Sequence, residues 1–282
     1  MIANGLSVDV EDWFQTYNYE RIIPRDTWNA CELRVEANTR RLLDILGRKG
    51  VRATFFVLGW IADRVPGLVR SVLEDGHEVA THGYSHRRLI DLNAESFRED
   101  LRRSLDSLNA AGATRVQGFR APSFSLVRDT QWALDVLTEY GLEYDSSIFP
   151  TGAHQDYGIS DAPLRLHRIR ENLWEIPMTA LEVLGRRLPV GGGGYFRHFP
   201  YSLTRFAMRR VNAEGRPVVF YLHPWELDPH QPRPAAPAWR IFRQTVGLGR
   251  TAERLERLLD DFKFVPLEEM LAAGRAEASE LE

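Results

Sequence analysis

Two histidines four residues apart, in Thr81-His82-Gly83-Tyr84-Ser85-His86, are the side chains of this chain best suited to chemistry. On one side of a helical turn that spacing lets two imidazoles meet. A carboxylate from another segment then completes a three-ligand divalent-metal site with positions open for water and substrate. Acids are at hand near the N-terminus. In Leu6-Ser7-Val8-Asp9-Val10-Glu11-Asp12, alternation puts Asp9 and Glu11 on one face of a strand and Asp12 at its exit. Unpaired buried carboxylates are costly, so three at the end of a first strand call for a cation or a hydrogen-bond network. The chemistry this combination admits is metal-assisted hydrolysis. Three more polar residues fall at expected strand ends: Arg120 in Phe119-Arg120-Ala121-Pro122, Asp145 in Tyr144-Asp145-Ser146-Ser147, and His223 in Leu222-His223-Pro224-Trp225-Glu226.

These groups need a scaffold of parallel strand ends. Strands are expected over Leu6–Val10, Val51–Leu58, His77–Ala80, Gln117–Phe119 and Glu143–Asp145, and helices over Val35–Lys49, Ile61–Glu74, Asn93–Ala111 and Asp129–Tyr140. Glycines close the helices at Gly50, Gly76, Gly112 and Gly141. This strand–helix rhythm, with polar residues at strand C-termini, favours a parallel sheet or barrel. From about 150 to 200 the rhythm breaks into short strands such as Leu173–Ile176, punctuated by prolines and the run Gly191–Gly194. That stretch reads as an excursion over the barrel mouth within a single domain spanning 1–282. A helix over Tyr201–Ala213, a strand over Pro217–Leu222 and a helical extension over 228–282 follow, the last closing in a helix over Thr251–Asp261, a strand over Phe262–Val265, a helix from Pro266 and a frayed acidic tail, Glu277–Glu282.

Composition narrows the function. The chain has 282 residues, 44% apolar and 27% charged, enough for a sizeable core. A net charge of -3 gives no basic excess to suggest nucleic acid as a partner. The one cysteine, Cys31, leaves no intrachain disulfide, and no apolar run is long enough for a transmembrane helix. With no basic n-region and apolar h-region at the start, the expected location is cytoplasmic, with action at the inner membrane surface compatible with it.

Taken together, the segments "SVDVEDWFQ", "HGYSH", "FRAPSFS", "YDSSIFP", "GGGYFR" and "YLHPWE" resemble the polysaccharide deacetylases related to the nodulation chitooligosaccharide deacetylase, carbohydrate esterase family four. They look like the branch associated with exopolysaccharide loci of bacteria that carry an exosortase system. The resemblance runs from about residue 4 to about 226. It implies an α/β fold, a distorted (β/α) barrel with fewer than eight parallel strands. It also implies a divalent metal, zinc by preference, and removal of N-acetyl groups from an amino-sugar polysaccharide or oligosaccharide, free or lipid-linked. His82 and His86 match the histidine ligands, Arg120 the arginine that orients the catalytic carboxylate, His223 the general acid, and Asp145 the acid that partners it. The first motif departs from the usual adjacent aspartates. It can be read as Glu11-Asp12 or as Asp9 with Glu11; Asp12 is favoured as the ligand, the base lying between Asp9 and Glu11.

The mechanism so implied has the metal polarise the acetamide carbonyl and acidify a water, whose proton the carboxylate takes. A backbone N–H such as that of Tyr84 is expected to help stabilise the oxyanion, and His223 to protonate the leaving amine. Trp13, Tyr84, Phe124, Tyr195 and Trp225 are candidates for contact with sugar faces. Two other readings share the fold: a cyclic-amide hydrolase and a catalytically silent carbohydrate-binding protein.

Overall fold

The computed structural model describes residues 2–152 and 157–279. Eleven strands are present among these: β1 (Ala3–Val10), β2 (Thr54–Val57), β3 (Glu78–Thr81), β4 (Gly118–Phe119), β5 (Tyr144–Asp145), β6 (His167–Arg168), β7 (Trp174–Glu175), β8 (Ala180–Val183), β9 (Arg186–Pro189), β10 (Val219–Leu222) and β11 (Lys263–Val265). The α-helices are α1 (Val35–Lys49), α2 (Gly59–Arg64), α3 (Pro66–Glu74), α4 (Ala94–Ala110), α5 (Trp132–Glu139), α6 (Gly193–His198), α7 (Tyr201–Ala213), α8 (Ala238–Thr245), α9 (Leu248–Asp261) and α10 (Leu267–Ser279).

One curled sheet runs in the order β10-β1-β2-β3-β4-β5-β7-β6. Its first seven strands are parallel, and β6 closes the edge antiparallel to β7. β11 adds a short parallel partner along Ala3–Gly5 of β1. The expected barrel with fewer than eight strands in its parallel path is thus present, incompletely closed and ringed by helices.

Alternation along the strands sorts the side chains into two layers. Leu6, Val8 and Val10 of β1, Phe55 and Val57 of β2, and Phe220 and Leu222 of β10 pack outward into the helix-covered core. Phe56, Ala80, Tyr144, Trp174, Val219 and Tyr221 pack inward, where Leu267 and Leu271 of α10 plug the N-terminal end of the barrel. Gly5 lets the Met270 and Leu267 side chains of α10 lie directly on β1, and a Cβ there would force both to shift.

Local sequence accounts for most elements, and α1 and α7 have the expected bounds. Asn93 caps α4 with a capping box to Ser96. The helix expected over Ile61–Glu74 is two helices, because Val65 precedes Pro66 and leaves the helical region (φ -132°, ψ 58°). Elements that escape the sequence reading include β6, the hairpin β8–β9 and α6. The run Gly191–Gly194 is not an isolated turn. Instead a Cβ at Gly192 would lie 2.4 Å from Tyr221 O, so the run lets α6 begin flush against β10. The acidic tail expected from Glu277 is helical to Ser279, and its last three residues lie outside those described.

Candidate active site

The inward parity of β1 continues past its end. Ser7 and Asp9 face the barrel interior and Glu11 follows them, while Asp12 shares the parity of Val8 and Val10 and faces the helical shell. There the Asp12 carboxylate accepts from the backbone N–H groups of Trp13 (2.8 Å), Arg34 (2.8 Å) and Val35 (2.9 Å). It supplies the acceptor that the N-terminus of α1 lacks from its own cap residue, Arg34. Burial raises its pKa to about 6 against these bonds. Asp12 is therefore not the ligand that the sequence suggested; both its oxygens are held by backbone amides.

Glu11 takes that place. Its Oε1 lies 3.2 Å from His82 Nε2 and 2.9 Å from His86 Nε2, and one donor atom from each of the three residues falls within 4.8 Å of the others. All three residues are buried. His82 Nδ1 lies 2.8 Å from the Arg120 carbonyl, which can only accept; Nδ1 therefore carries the proton and Nε2 presents its lone pair to the cluster. Burial alone would raise the Glu11 pKa, yet the neighbouring imidazoles, His86 and His223 foremost, hold it well below the ordinary carboxylate range. A carboxylate and imidazole nitrogens converging on one point form the donor set of a catalytic divalent cation, and these residues fit one.

The turn bearing the histidines is held from outside. Asp100 of α4 accepts from the N–H groups of Tyr84 (2.7 Å) and Ser85 (3.2 Å), and Arg25 donates to the carbonyls of Ser85 and His86 (both 2.9 Å). His86 itself has φ +51°, uncommon for a residue with a Cβ, and this aims its ring back at Glu11. The Tyr84 N–H is thus spent on Asp100 and is not the oxyanion donor expected.

Arg120 enters from the end of β4, fully buried. It donates to Asp9 Oδ1 (2.7 Å), Ser7 Oγ (2.7 Å), Ser146 O (2.9 Å) and Ser146 Oγ (2.9 Å), with Phe56 beneath the guanidinium. The second Asp9 oxygen is left facing the pocket, 4.0 Å from His223 Nε2. Arg120 therefore holds Asp9, one of the two acids left open as base, through one oxygen.

His223 follows β10 with inward parity, and its Nε2 is 3.8 Å from Glu11 Oε1. Its partner is Glu226: Nδ1 lies 2.7 Å from Glu226 Oε1, and the His223 backbone N–H donates to the same oxygen at 3.1 Å. Arg197 of α6 anchors the other oxygen at 2.6 Å. Burial opposes charge on the ring, but Glu11, Glu226 and Asp9 together lift its pKa to about 9. The expected Asp145–His223 pair is absent. Tyr144 takes the inward parity of β5, so Asp145 points to the outer layer. It accepts from Ser147 N–H (3.1 Å) and Ser147 Oγ–H (2.5 Å) and stands beside Glu175 of β7. Burial raises the pKa of both carboxyls, Glu175 far more.

Asp9, Glu11, His82, His86 and His223 line one cleft of about 440 Å³. Of the expected sugar contacts, Phe124 and Trp225 line it too, the latter stacked on His223 with centroids 5.2 Å apart. Trp13 lies in the outer core with its indole N–H on the Glu32 carbonyl (3.0 Å). Tyr84 donates to Asp63 under the Arg103 guanidinium, and Tyr195 faces a neighbouring apolar groove. The cleft wall contains residues the sequence did not single out, among them Tyr157, His198 and Arg243. Glu226 is the third residue after His223, the spacing of a capping box, which is the signal in the sequence for this pairing.

Residues 26–145 match the polysaccharide deacetylase family, and residues 146–272 match a domain of unknown function (DUF3473). Over residues 26–145 the chain is similar to that family. It is 27% identical over 120 residues to a peptidoglycan-N-acetylglucosamine deacetylase of Bacillus cereus, covering 38% of this chain and 44% of that protein. It is 34% identical over 101 residues to a chitooligosaccharide deacetylase of Rhizobium leguminosarum bv. trifolii, covering 36% and 44%. Its fold superposes on a crystal structure from Mycobacterium smegmatis, of a protein assigned to the polysaccharide deacetylases, with a TM-score of 0.63, 20% identity, and coverage of 98% of this chain and 91% of that one. The chain spans about half the length of the curated relatives it matches.

Proposed function

We propose that this protein is a metal-dependent hydrolase that removes N-acetyl groups from an amino-sugar glycan. The observation that carries the reading is one cleft holding the Glu11–His82–His86 cluster, an Arg120-oriented Asp9 and a Glu226-oriented His223. A bound divalent cation, zinc by preference, would supply Lewis acidity to an amide carbonyl and lower the pKa of a coordinated water. Asp9, fixed through one oxygen by Arg120, is the general base and takes the water's proton on its free oxygen. His223 donates its Nδ1 proton to Glu226, so Nε2–H faces the cleft and protonates the departing amine. The Nε2-to-Asp9 separation of 4.0 Å supports a reading in which acid and base serve one reacting centre. Phe124 and Trp225 offer faces for a pyranose ring.

The two matched segments act as one unit in this reading, because His223 and Glu226 belong to the second and the metal cluster to the first or its approach. The setting proposed is exopolysaccharide biosynthesis, which the six sequence segments support. The test is acetate release from a panel of N-acetylated oligosaccharides, with zinc added or chelated, for the native chain and Asp9→Asn. Zinc-dependent release lost in the variant is expected. Metal-loaded protein that releases no acetate from any member, or that opens a cyclic amide instead, overturns the reading.

A further inference from the structure

Beside the catalytic cleft lies an apolar surface that the proposed reaction does not use. The β8–β9 hairpin and helices α6 and α7 enclose a groove of about 370 Å³. Along it Val183, Leu188, Phe199, Leu203 and Phe206 are 42–64% exposed, and Leu184 at the hairpin tip is 99% exposed. Leu184 and Gly185 both have positive φ (+50° and +74°), the two-residue turn in which asparagine, aspartate or glycine is favoured first. A leucine there bears left-handed strain with no packing in return inside the chain. Its side chain is open to a contact outside the chain.

Charge names the class of that contact. Residues 182–210 contain six arginines and one acid, Glu182, in a chain whose net charge is -3. Most of this charge is paired: Arg197 is buried on Glu226, Arg205 and Arg209 approach the one carboxylate of Asp261, Arg210 approaches Glu214, and Arg187 is 3.8 Å from Glu182. The segment still carries an excess of cations around exposed leucine and phenylalanine. A second copy in a two-fold contact would set these arginines against themselves, and a neutral glycan would leave the leucines unmatched. An anionic bilayer answers both features, with apolar side chains entering the interface and guanidinium groups at headgroup level.

We infer that the β8–β9 hairpin and the α6–α7 face dock this protein onto an anionic lipid surface. The site opens beside it. Gly194 and His198 of α6 line the catalytic cleft, while Tyr195 and Phe199 of the same helix line the groove. Across the rim the His198 ring meets Phe242 of α8, which is 64% exposed, near Trp239 at 58%. Docking would hold the cleft next to glycans assembled at a membrane.

The test is flotation of the full chain with vesicles of phosphatidylcholine, alone or mixed with phosphatidylglycerol. Binding to the mixed vesicles that weakens with salt is expected, and little binding to phosphatidylcholine alone. Leu184→Asn should lower binding on the order of tenfold while keeping or raising the melting temperature, since asparagine suits the turn. Phe206→Asp should lower it further, with the far-ultraviolet spectrum and turnover of soluble oligosaccharide unchanged. Native chain that stays with the buffer, or variants that float like the native chain, would overturn the inference. So would a native dimer that Phe206→Asp dissociates without vesicle binding, which would make a second copy the occupant. Because flotation requires no turnover, its outcome is independent of the proposed reaction.

Discussion

Glu78 offers a stability measurement that reads the barrel's closed end directly. It shares the inward parity of Ala80 and His82 but sits at the opposite end of β3, against α10. Its carboxyl accepts from Tyr144 Oη–H (2.7 Å), from the Thr54 hydroxyl and from the backbone N–H of Glu268 (3.1 Å), and Thr54 Oγ in turn accepts from Leu267 N–H (2.7 Å). Burial raises its pKa from 4.5 to about 7, the hydrogen bonds and the nearby Glu268 charge modifying that rise. Between those two values the folded state binds more protons than the unfolded one, so stability falls as pH rises through the window. At about 1.36 kcal/mol per unit, the full loss is about 3 kcal/mol, complete above the folded value and absent below the unfolded one. Glu78→Gln removes the titration while keeping an acceptor for Thr54 and Glu268 and a donor for the Tyr144 oxygen. Urea unfolding of native chain and variant at about pH 4.5 and about pH 8 isolates the group, because the remaining titrations cancel in the difference. The native chain should lose up to about 3 kcal/mol relative to the variant between the two conditions. If both lose stability in parallel, Glu78 is ionised in the folded protein and the account of the barrel's closed end is wrong.

Glu11→Gln should weaken zinc binding by more than about 100-fold, above the loss typical of a supporting group, whereas Asp12→Asn should leave zinc affinity near native and cost about 1–2 kcal/mol of stability. Calorimetric titration and urea unfolding of both variants separate the roles, and exchanged outcomes would restore Asp12 as ligand. Glu226→Gln should lower kcat on the order of 10–10³-fold at unchanged metal content, since it frees the His223 ring without touching Glu11. Asp145→Asn should leave both metal content and the rate–pH profile near native while altering stability through Glu175; a large fall in kcat at native stability would return Asp145 to the chemistry. Arg120→Lys should cost more rate than metal affinity, because a lysine cannot hold Asp9, Ser7 and Ser146 together.

Periodicity alone places α1 and α7, and the strand–helix rhythm announces the parallel sheet. The histidine pair, Arg120 and His223 are legible as chemistry because they stand at strand ends. Alternation also puts Asp9 and Glu11 on one face, which is the arrangement observed. Reading Asp12 as ligand missed what alternation cannot show: the N-terminus of α1 lies against the outer face of β1, and its free N–H groups claim that carboxylate. Asp145 shows the same limit. A two-residue strand has no readable parity, and only the packing of Tyr144 into the barrel interior turns Asp145 outward. The partner of His223 is instead local, three residues on, because Pro224 starts a short turn that folds Glu226 back onto the ring. The hairpin β8–β9, β6 and α6 carry too few residues for a periodic signal, so their place comes from contact with the sheet and cleft. Which side chains could do chemistry was determined by residue type and strand register, which are properties of the chain. Which carboxylate meets which cation was decided by the facing of neighbouring elements, a property that exists only once the sheet has curled and the helices have packed upon it.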